Sequence, residues 1–357
     1  MRVLIVTDAW RPQVNGVVRT YERLRDELSL IGYETEMLTP ETFPTLPCPT
    51  YPEIRLALAG PRAVSERIAR ARPDFIHIAT EGPLGLMARR YCRKHRRPFT
   101  TSYHTRFPEY LSARLPVPRS WGYACQRRFH NASSGTMVAT ASLAASLRQR
   151  GFRRLMAWGR GVDLDSFTPG PRHAMAGRRP VFLYVGRVAV EKNVTAFLDL
   201  DLPGRKIVVG GGPQLDAIRM AYPAVEFTGP LEGAELARAY ANADVFVFPS
   251  LTDTFGNVLL EALASGVPVA AYPVTGPLDV IGDAPVGVLD RDLRRAALGA
   301  LQLDRAACRA HARKFDWAAS ARQFAANMHR AEGLFAEAAR PGTGSGKKKT
   351  RMQVRVS

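Results

Sequence analysis

One group of residues suited to chemistry follows a strand in the second half of the chain. The segment VGRVAVEKN (185–193) places Gly186 at the end of that predicted strand, with Arg187 and Lys192 just beyond it. Ligands of open parallel sheets bind outside the carboxyl ends of the strands. Two cations at such a position predict an anionic ligand, and phosphate groups fit them well.

A second segment, SLTDTFGNVLLEALASG (250–266), combines carboxylates with a helix start. Asp253 lies in a loop, Gly256 at a turn, and Glu261 one turn inside a helix predicted to begin near Asn257. The free N–H groups and the dipole of a helix N-terminus favour a diphosphate. Each carboxylate can bind a pair of adjacent hydroxyls, and a nucleotide sugar presents one such pair on the ribose and another on the hexose. The two segments together predict a nucleotide-sugar site.

Other chemistries have weaker support in the sequence. Gly210, Gly211 and Gly212 are followed by Pro213, so the glycine run does not complete the G-x-G-x-x-G fingerprint of dinucleotide binding. There is no phosphate-binding P-loop motif and no H-E-x-x-H motif. Simpler interpretations stay open for the residues singled out above: the two cations as surface charges, the loop aspartate as a helix cap, and the helical glutamate as an exposed side chain.

Predicted strands and helices alternate along the chain, and this alternation must position the two segments. In the first half, strands are predicted at 2–8, 34–40, 74–80, 98–105 and 136–140, and helices at 18–32, 63–72, 84–96 and 142–151. The second half continues with strands at 181–186, 206–211, 225–229, 244–250 and 267–273, and with helices at 193–200, 214–222, 233–243 and 257–266. This pattern predicts an α/β protein with two doubly wound parallel sheets facing each other across a cleft.

The boundaries of these domains follow from composition. Residues 170–180 are polar and rich in Gly and Pro, as expected of a linker. We predict an N-terminal domain over 1–168, a C-terminal domain over 169–316, and a long helix over 317–340 that returns to the first domain. Residues 341–357 have no apolar period and are predicted to be a disordered basic tail.

In their order and separations, several segments resemble the retaining glycosyltransferases with the GT-B fold (the family-4 type), over residues 1 to about 335. The segments are RVLIVTDAWRPQVNGVVRT, GRGVDLDSF, GRVAVEKN, GGGPQLD, YANADVFVFPS and the acidic-x7-acidic stretch that ends in EALASG. The family usually has Glu at both ends of that stretch, whereas this chain has Asp253 and Glu261. Because Asp is shorter by one methylene, the grip on the sugar is expected to differ from the usual one.

The resemblance implies roles for individual residues. Arg187 and Lys192 would hold the diphosphate, Glu261 the ribose hydroxyls and Asp253 the sugar hydroxyls. The backbone N–H groups of Phe255, Gly256 and Asn257 would complete this site, Asn15 and Gly16 would lie in a loop near the diphosphate, and His104 would contact the transferred sugar. Such enzymes need no bound metal and no cofactor, because the nucleotide sugar is a substrate. By its position after a strand, Glu81 is a further candidate, whereas His77 inside that strand is predicted to be a buried structural side chain.

The 357 residues carry a formal net charge of +18, which is unevenly distributed. Residues 1–165 hold 26 basic and 14 acidic residues, residues 166–340 hold 19 and 18, and residues 341–357 hold five and none. Excess charge in one domain predicts an anionic partner there, either nucleic acid or an anionic membrane surface. A genomic preference for arginine is the alternative explanation.

Within the first domain, cations and apolar side chains interleave between residues 84 and 129. The cations are Arg89, Arg90, Arg93, Lys94, Arg96, Arg97, Arg106, Arg114, Arg119, Arg127 and Arg128. The apolar and aromatic residues among them are Phe107, Tyr110, Leu111, Leu115, Val117, Trp121, Tyr123 and Phe129. This pattern predicts contact with an anionic membrane through this segment and the basic tail, and therefore a lipid acceptor.

The motif details resemble the bacterial branch that includes glycosyldiacylglycerol synthases, sulfoquinovosyl-lipid synthases and GDP-mannose-dependent mannosyltransferases. We therefore expect transfer of a hexose, glucose or glucuronate, from a UDP-sugar to a lipid hydroxyl such as that of diacylglycerol. Arg106 beside His104 is the candidate partner for a glucuronate carboxylate. The alternatives are a GDP-mannose-dependent mannosyltransferase and a nucleic-acid-binding protein, but no nucleic-acid module is recognisable. Scattered cysteines and the absence of long apolar runs predict a cytoplasmic protein, peripheral at the inner face of the cell membrane.

Overall fold

The computed structural model describes residues 1–13, 15–48, 51–112, 118–170 and 178–339. Several features discussed above lie outside these residues, namely the predicted tail 341–357, the linker residues 171–177, and Arg114, Leu115 and Val117. The side chains of Tyr110 and Leu111 also lie outside the described part.

The first lobe contains a parallel sheet covered by helices. Its strands are β1 (Arg2–Val6), β2 (Glu34–Leu38), β3 (Thr45–Cys48), β4 (Tyr51–Ala57), β5 (Phe75–Ile78), β6 (Thr100–Tyr103), β7 (Gly135–Val138) and β8 (Leu155–Ala157). Its helices are α1 (Gly16–Leu30), α2 (Pro61–Ala71), α3 (Pro83–Lys94), α4 (Phe107–Ser112), α5 (Arg119–His130) and α6 (Ala141–Gln149), with a 3₁₀ helix at Pro40–Thr42. Six strands form the sheet in the order β2-β1-β5-β6-β7-β8, and β3 and β4 form a separate antiparallel hairpin.

The second lobe repeats this architecture. Its strands are β9 (Val181–Val185), β10 (Arg205–Val209), β11 (Glu226–Gly229), β12 (Val245–Phe248), β13 (Val269–Ala271) and β14 (Gly287–Leu289). Its helices are α7 (Val194–Leu198), α8 (Leu215–Ala221), α9 (Gly233–Asn242), α10 (Asn257–Ala264), α11 (Pro277–Ile281), α12 (Leu293–Ala300) and α13 (Arg305–Ala312), with a 3₁₀ helix at Val190–Lys192; α14 (Trp317–Ala339) follows. The strand order β11-β10-β9-β12-β13-β14, with all pairs parallel, is that of a Rossmann-like sheet.

Strand β1 shows why the sequences of the inner strands are continuously apolar. Val3 and Ile5 pack with Tyr21 of α1 on one face of the sheet. Leu4 and Val6 pack on the other face, in a cluster that includes residues of α2 and α3. Because helices cover both faces, neither face of the strand can carry polar side chains. The predicted fold of two doubly wound parallel sheets is confirmed.

The C-terminal helix α14 returns to the first lobe, as predicted. Its Phe324 is fully buried, with its ring centroid 4.9 Å from that of Trp158 and 4.8 Å from that of His77. Met328 belongs to the same core cluster. The indole nitrogen of Trp158 also donates to Ser320 Oγ at 3.1 Å. The helix that follows the second lobe therefore completes the core of the first.

The boundary between the domains stays a prediction. Trp158 packs in the core of the first lobe, whereas Val162, Leu164 and Phe167 pack against the core of the second. The chain therefore passes from one lobe to the other between residues 158 and 162. Within the described parts of the chain, no helix combines the length and apolarity that crossing a membrane requires.

The packing of α14 leads to a stability prediction. Phe324→Ala removes a buried ring from the core of the first lobe and is expected to cost about 3–5 kcal/mol. Met220→Ala, at a position 79% exposed in the second lobe, is the control and should change stability by less than about 0.5 kcal/mol. Calorimetric unfolding measures both variants. Equal unfolding profiles for Phe324→Ala and the wild type would show that α14 adds nothing to the first lobe.

Candidate active site

The candidate site lies where the strand order of the second sheet reverses. Strands β9 and β12 are neighbours at this point, and their carboxyl ends lead into two loops. The loop after β9 contains Gly186 and Arg187, and the loop after β12 leads through Asp253 to Gly256 at the start of α10. Gly256 has φ = +84°, which a residue with a side chain adopts only with strain. This glycine allows the chain to turn sharply into the helix.

The two loops are joined by an ion pair. Lys192 Nζ lies 2.8 Å from both carboxylate oxygens of Asp253, and both side chains are largely buried. Arg187 is half-buried in the same region, and its backbone carbonyl accepts a hydrogen bond from the Tyr184 hydroxyl at 2.8 Å. The structure therefore brings together the cations and the first carboxylate that the sequence indicated, with the lysine and the aspartate paired to each other.

Glu261, the second carboxylate, is buried on α10 rather than exposed. Its Oε2 accepts a hydrogen bond from the Tyr240 hydroxyl at 2.9 Å, and its Oε1 lies 3.7 Å from Arg19 Nη1 of the first lobe. Burial raises the pKa of Glu261, and the nearby Arg19 and the Tyr240 hydrogen bond oppose this rise. The simple interpretation of Glu261 as a solvated helix residue is therefore wrong.

The N-terminus of α1 faces that of α10 across the cleft. Asn15 caps α1, since its Oδ1 accepts hydrogen bonds from the N–H groups of Val17 and Val18, each at 3.0 Å. Asn257 Nδ2 lies 3.4 Å from the carbonyl oxygen of Gly16. Two helix N-termini, each with a positive dipole end, thus converge on one space, which favours an anionic ligand there.

His104 lies at the end of β6, with both ring nitrogens bound within the first lobe. Nε2 is 2.8 Å from the Tyr21 hydroxyl, and Nδ1 is 3.2 Å from Arg160 Nη2. The backbone carbonyl of His104 accepts a hydrogen bond from Thr254 Oγ1 of the second lobe at 2.6 Å. His77 is fully buried and bound to the Tyr21 hydroxyl at 2.9 Å, so its predicted structural role is confirmed.

Glu81 and Arg106 are placed differently. Glu81 Oε1 accepts from Gln126 Nε2 at 2.9 Å and lies 3.0 Å from His130 Nε2, on the first lobe. Arg106 Nη2 donates across the cleft to Thr275 Oγ1 at 2.9 Å, and its Nη1 lies 3.9 Å from Glu109. Arg106 therefore lies at the interface between the lobes, whereas the described contacts of Glu81 are internal to the first lobe.

Sequence reasoning missed the residues that hold the lobes together. Thr254 and Thr275 bind the first lobe, and Arg19 lies beside Glu261. Thr254 is adjacent to Asp253, and Arg19 lies one helical turn after Gly16. Their closeness to predicted site residues could have indicated them, although neither belongs to a recognised motif. Phe255 is buried in the core of the second lobe, and only its backbone remains a candidate for ligand contact. Among the described residues, no group of three or more His, Cys, Asp or Glu is arranged to hold a metal ion.

Two facing parallel-sheet lobes with a charged cleft between them are the architecture of the GT-B fold. Family models match both halves of the chain: Glycosyltransferase Family 4 over residues 14–166, and Glycosyl transferases group 1 over residues 179–303. The chain belongs to the family-4 glycosyltransferases and is a transferase enzyme.

Curated relatives agree with this assignment. A GDP-mannose-dependent alpha-mannosyltransferase of Mycobacterium tuberculosis is 32% identical, over 81% of this chain and 83% of its own length. The sulfoquinovosyl transferase SQD2 of Arabidopsis thaliana is 35% identical, over 76% of this chain and 55% of its own. An alpha-monoglucosyldiacylglycerol synthase of Streptococcus pneumoniae is 26% identical, over 84% and 78%.

Solved structures show the same fold. A sucrose-phosphate synthase from Thermosynechococcus elongatus superposes with a TM-score of 0.76 at 20% identity, covering 94% of this chain and 99% of its own. HepE of Anabaena, solved with UDP and glucose, has a TM-score of 0.71 at 16% identity, covering 92% and 99%.

The bond from Thr254 to His104 predicts a measurable change in cleft closure. Thr254→Val keeps the side-chain shape but removes the donor, at a net cost of about 0.5–1.5 kcal/mol. The equilibrium between closed and open lobes should then shift about 2- to 13-fold toward the open form. Hydrogen exchange at residues 15–20 and 254–260 measures this shift.

Thr252→Val is the matched control, because Thr252 Oγ1 contacts the Glu191 carbonyl at 3.5 Å within the second lobe. It should leave exchange in the first lobe unchanged. If both valine variants exchange at the wild-type rate, the contact between Thr254 and His104 does not contribute to closure.

Proposed function

We propose that this enzyme transfers a hexose, glucose or glucuronate, from a UDP-sugar to a lipid hydroxyl such as that of diacylglycerol, in membrane glycolipid synthesis. One observation carries the proposal: the α1 and α10 N-termini, Lys192 and two carboxylates share one cleft between the lobes. Helix dipoles and a cation attract the diphosphate, and the carboxylates accept hydrogen bonds from sugar hydroxyls. The cleft thus offers a group for each part of a nucleotide sugar.

In this proposal, donor binding exchanges partners at Lys192. The diphosphate takes the ammonium group from Asp253, together with Arg187, and the released carboxylate binds hydroxyls of the transferred sugar. As the nucleoside diphosphate leaves, the cations stabilise the negative charge that develops on it. Glu261 keeps the Tyr240 hydrogen bond on Oε2 and receives the ribose hydroxyls on Oε1, where Arg19 now lies.

Stereochemistry and the sugar contact follow the family resemblance. The acceptor hydroxyl attacks from the face that the leaving group occupies, so the product keeps the anomeric configuration. Asn257 and Gly16 lie on the diphosphate side of the cleft, whereas His104 and Glu81 belong to the first lobe, which would bind the acceptor. Arg106, between the lobes, is the candidate cation for a glucuronate carboxylate and would leave Thr275 to bind it.

The surface of the first lobe supports a lipid acceptor. Arg90, Arg93 and Lys94 of α3 are exposed, whereas Phe129 and Leu84 belong to the core. Phe107 and Trp121 are 54% and 69% exposed. Exposed cations and rings on one segment suit an anionic bilayer, where rings settle at headgroup depth. One relative is named for the transfer of a sulfoquinovosyl group, and another for the synthesis of a glucosyldiacylglycerol.

A second candidate donor is GDP-mannose. It is favoured by the mannosyltransferases of Mycobacterium tuberculosis and Mycolicibacterium smegmatis, each 32% identical over about four-fifths of this chain. Their names state GDP-mannose dependence, whereas the HepE structures contain UDP or UDP-glucose. The arrangement of cations and carboxylates suits either nucleoside diphosphate.

A donor panel tests the proposal. The enzyme is incubated with diacylglycerol and, separately, with UDP-glucose, UDP-glucuronate, UDP-galactose and GDP-mannose, and the lipids are separated by chromatography. We expect a new glycolipid with UDP-glucose or UDP-glucuronate. A product with GDP-mannose alone would assign the second candidate, and no glycolipid with any donor would contradict the lipid acceptor.

Glu261→Gln should lower kcat/KM for the nucleotide sugar about 10- to 100-fold in the same assay, mainly through KM, because a neutral amide binds the ribose hydroxyls less strongly than a carboxylate does. Glu226→Gln is the matched control, since Glu226 pairs with Arg205 at the sheet edge, away from the cleft. An unchanged kcat/KM in Glu261→Gln would remove this residue from the donor site.

Membrane binding has its own test. We expect flotation with anionic but not with neutral vesicles. The triple change of Arg90, Arg93 and Lys94 to Gln should weaken binding by about 1 kcal/mol for each cation removed. The charge-matched control neutralises three exposed arginines outside the first lobe, namely Arg238, Arg291 and Arg313. Equal recovery with both vesicle types, or equal loss in both triple variants, would contradict a docking role for α3.

A further inference from the structure

Arg160 is a buried cation whose setting the proposed reaction does not explain. It is 6% exposed, and no carboxylate of the described residues lies within 4 Å of its side-chain nitrogens. Its guanidinium carbon lies 4.0 Å from the Trp158 ring centroid, and Nη1 donates to the Trp158 carbonyl at 3.0 Å. Nη2 lies 3.2 Å from His104 Nδ1. A cation that is costly to bury is thus directed at one imidazole nitrogen.

This contact determines where the His104 proton lies. A guanidinium only donates hydrogen bonds, so Nδ1 of His104 must accept and carries no hydrogen. The single ring proton is then on Nε2, which donates to the Tyr21 hydroxyl oxygen at 2.8 Å. The imidazole is neutral, and both of its nitrogens are used inside the protein.

The same logic extends along the chain of contacts. Tyr21 accepts from His104, so its own O–H can donate to His77 Nε2 at 2.9 Å, and Ser102 Oγ lies 3.0 Å from the same nitrogen. We infer that His77 Nε2 accepts from both hydroxyls, which leaves the ring proton on Nδ1, where it donates to Thr100 Oγ1 at 2.8 Å. Four successive hydrogen bonds thus link Arg160 to Thr100, and all are donated in the same direction. Arg160 determines this direction because its guanidinium can only donate.

The electrostatic setting is consistent with neutral rings. Burial first, and then Arg160, hold the pKa of His104 well below its usual range. The same two causes lower the pKa of His77 to about 3. Burial raises the pKa of Tyr21, so its hydroxyl keeps its proton. His77 and His130 also act on His104 and lower its pKa further, and His130 pairs with Glu81.

We propose that Arg160 is a positioning residue for His104: it holds the imidazole in the neutral Nε2–H form and orders the hydrogen bonds through Tyr21 to His77. The His104 ring then acts as neither acid nor base, and the residue meets the cleft through its backbone carbonyl, the atom that binds Thr254. This inference rests on the proposed function only in assigning His104 to the reaction site.

Nuclear magnetic resonance of protein labelled with ¹⁵N-histidine shows directly which ring nitrogen of each histidine carries the proton, and it needs no activity assay. The tautomers of the seven histidines are read from their nitrogen shifts and assigned with His104→Gln and His77→Gln. We expect His104 as the Nε2–H form and His77 as the Nδ1–H form at neutral pH. A protonated His104, or a His104 with its proton on Nδ1, would overturn the proposal.

Kinetics of Arg160 variants test the consequence for the reaction. Arg160→Met removes the hydrogen-bond donor that orients His104, and the displaced His104 should lower kcat about 10- to 100-fold, with little change in KM for the nucleotide sugar. It should also change the His104 tautomer signal. Arg160→Lys keeps a cationic donor and should restore most of both readouts.

Arg309→Met is the matched control, since Arg309 also binds backbone carbonyls, those of Ala264 at 2.8 Å and Leu164 at 2.7 Å, but in the second lobe. It should leave the tautomers unchanged. Wild-type kcat in Arg160→Met, or an equal fall in kcat in Arg309→Met, would overturn the positioning role. If the wild type shows the expected tautomers but makes no glycolipid with any donor, the proposed function fails while the hydrogen order stands.

Discussion

The direction of the strands is the constraint on which this structure depends. In a parallel sheet every strand ends at the same edge, and the helix that follows begins there. The edges of the two sheets face each other, so the N-termini of α1 and α10 meet across one cleft, with Asn257 Nδ2 3.4 Å from the Gly16 carbonyl. The anion-binding character of the cleft therefore follows from topology before any charged side chain is added.

The charged side chains of the cleft are paired with one another in this structure. Lys192 binds Asp253, and Arg19 lies beside Glu261. A largely buried charge without a partner is strongly destabilising, so each of these charges is better placed beside its partner than alone. A ligand that separates these pairs must offer a new hydrogen-bonding partner to each charge that it exposes. A nucleoside diphosphate sugar can do so, because its phosphates match the cations and its hydroxyls match the carboxylates.

Most of the architecture could be predicted from local patterns. Helix α1 was predicted from its apolar period, but it begins at Gly16, two residues before the predicted start, and Asn15, which was expected in a loop, caps it. The hairpin of β3 and β4 lies between the predicted strand at 34–40 and the predicted helix at 63–72, where no element was predicted. Helices α4 and α5 lie in the segment of interleaved cations and apolar residues between 84 and 129. Some of these apolar residues belong to the core, and the helical period was not recognised there. After residue 273, the short elements β14 and α11 to α13 carried no prediction.

The sequence by itself determined the fold class, the family and the chemical types available in the cleft, because periodicity and motif spacing are local properties of the chain. Only the tertiary structure decided which groups meet. His104 contacts Arg160, 56 residues away, and Thr254, 150 residues away. The pairing of Glu261 with Arg19 joins the two lobes in the same way. Such contacts depend on how the sheets and α14 pack together, and no spacing along the chain encodes that packing.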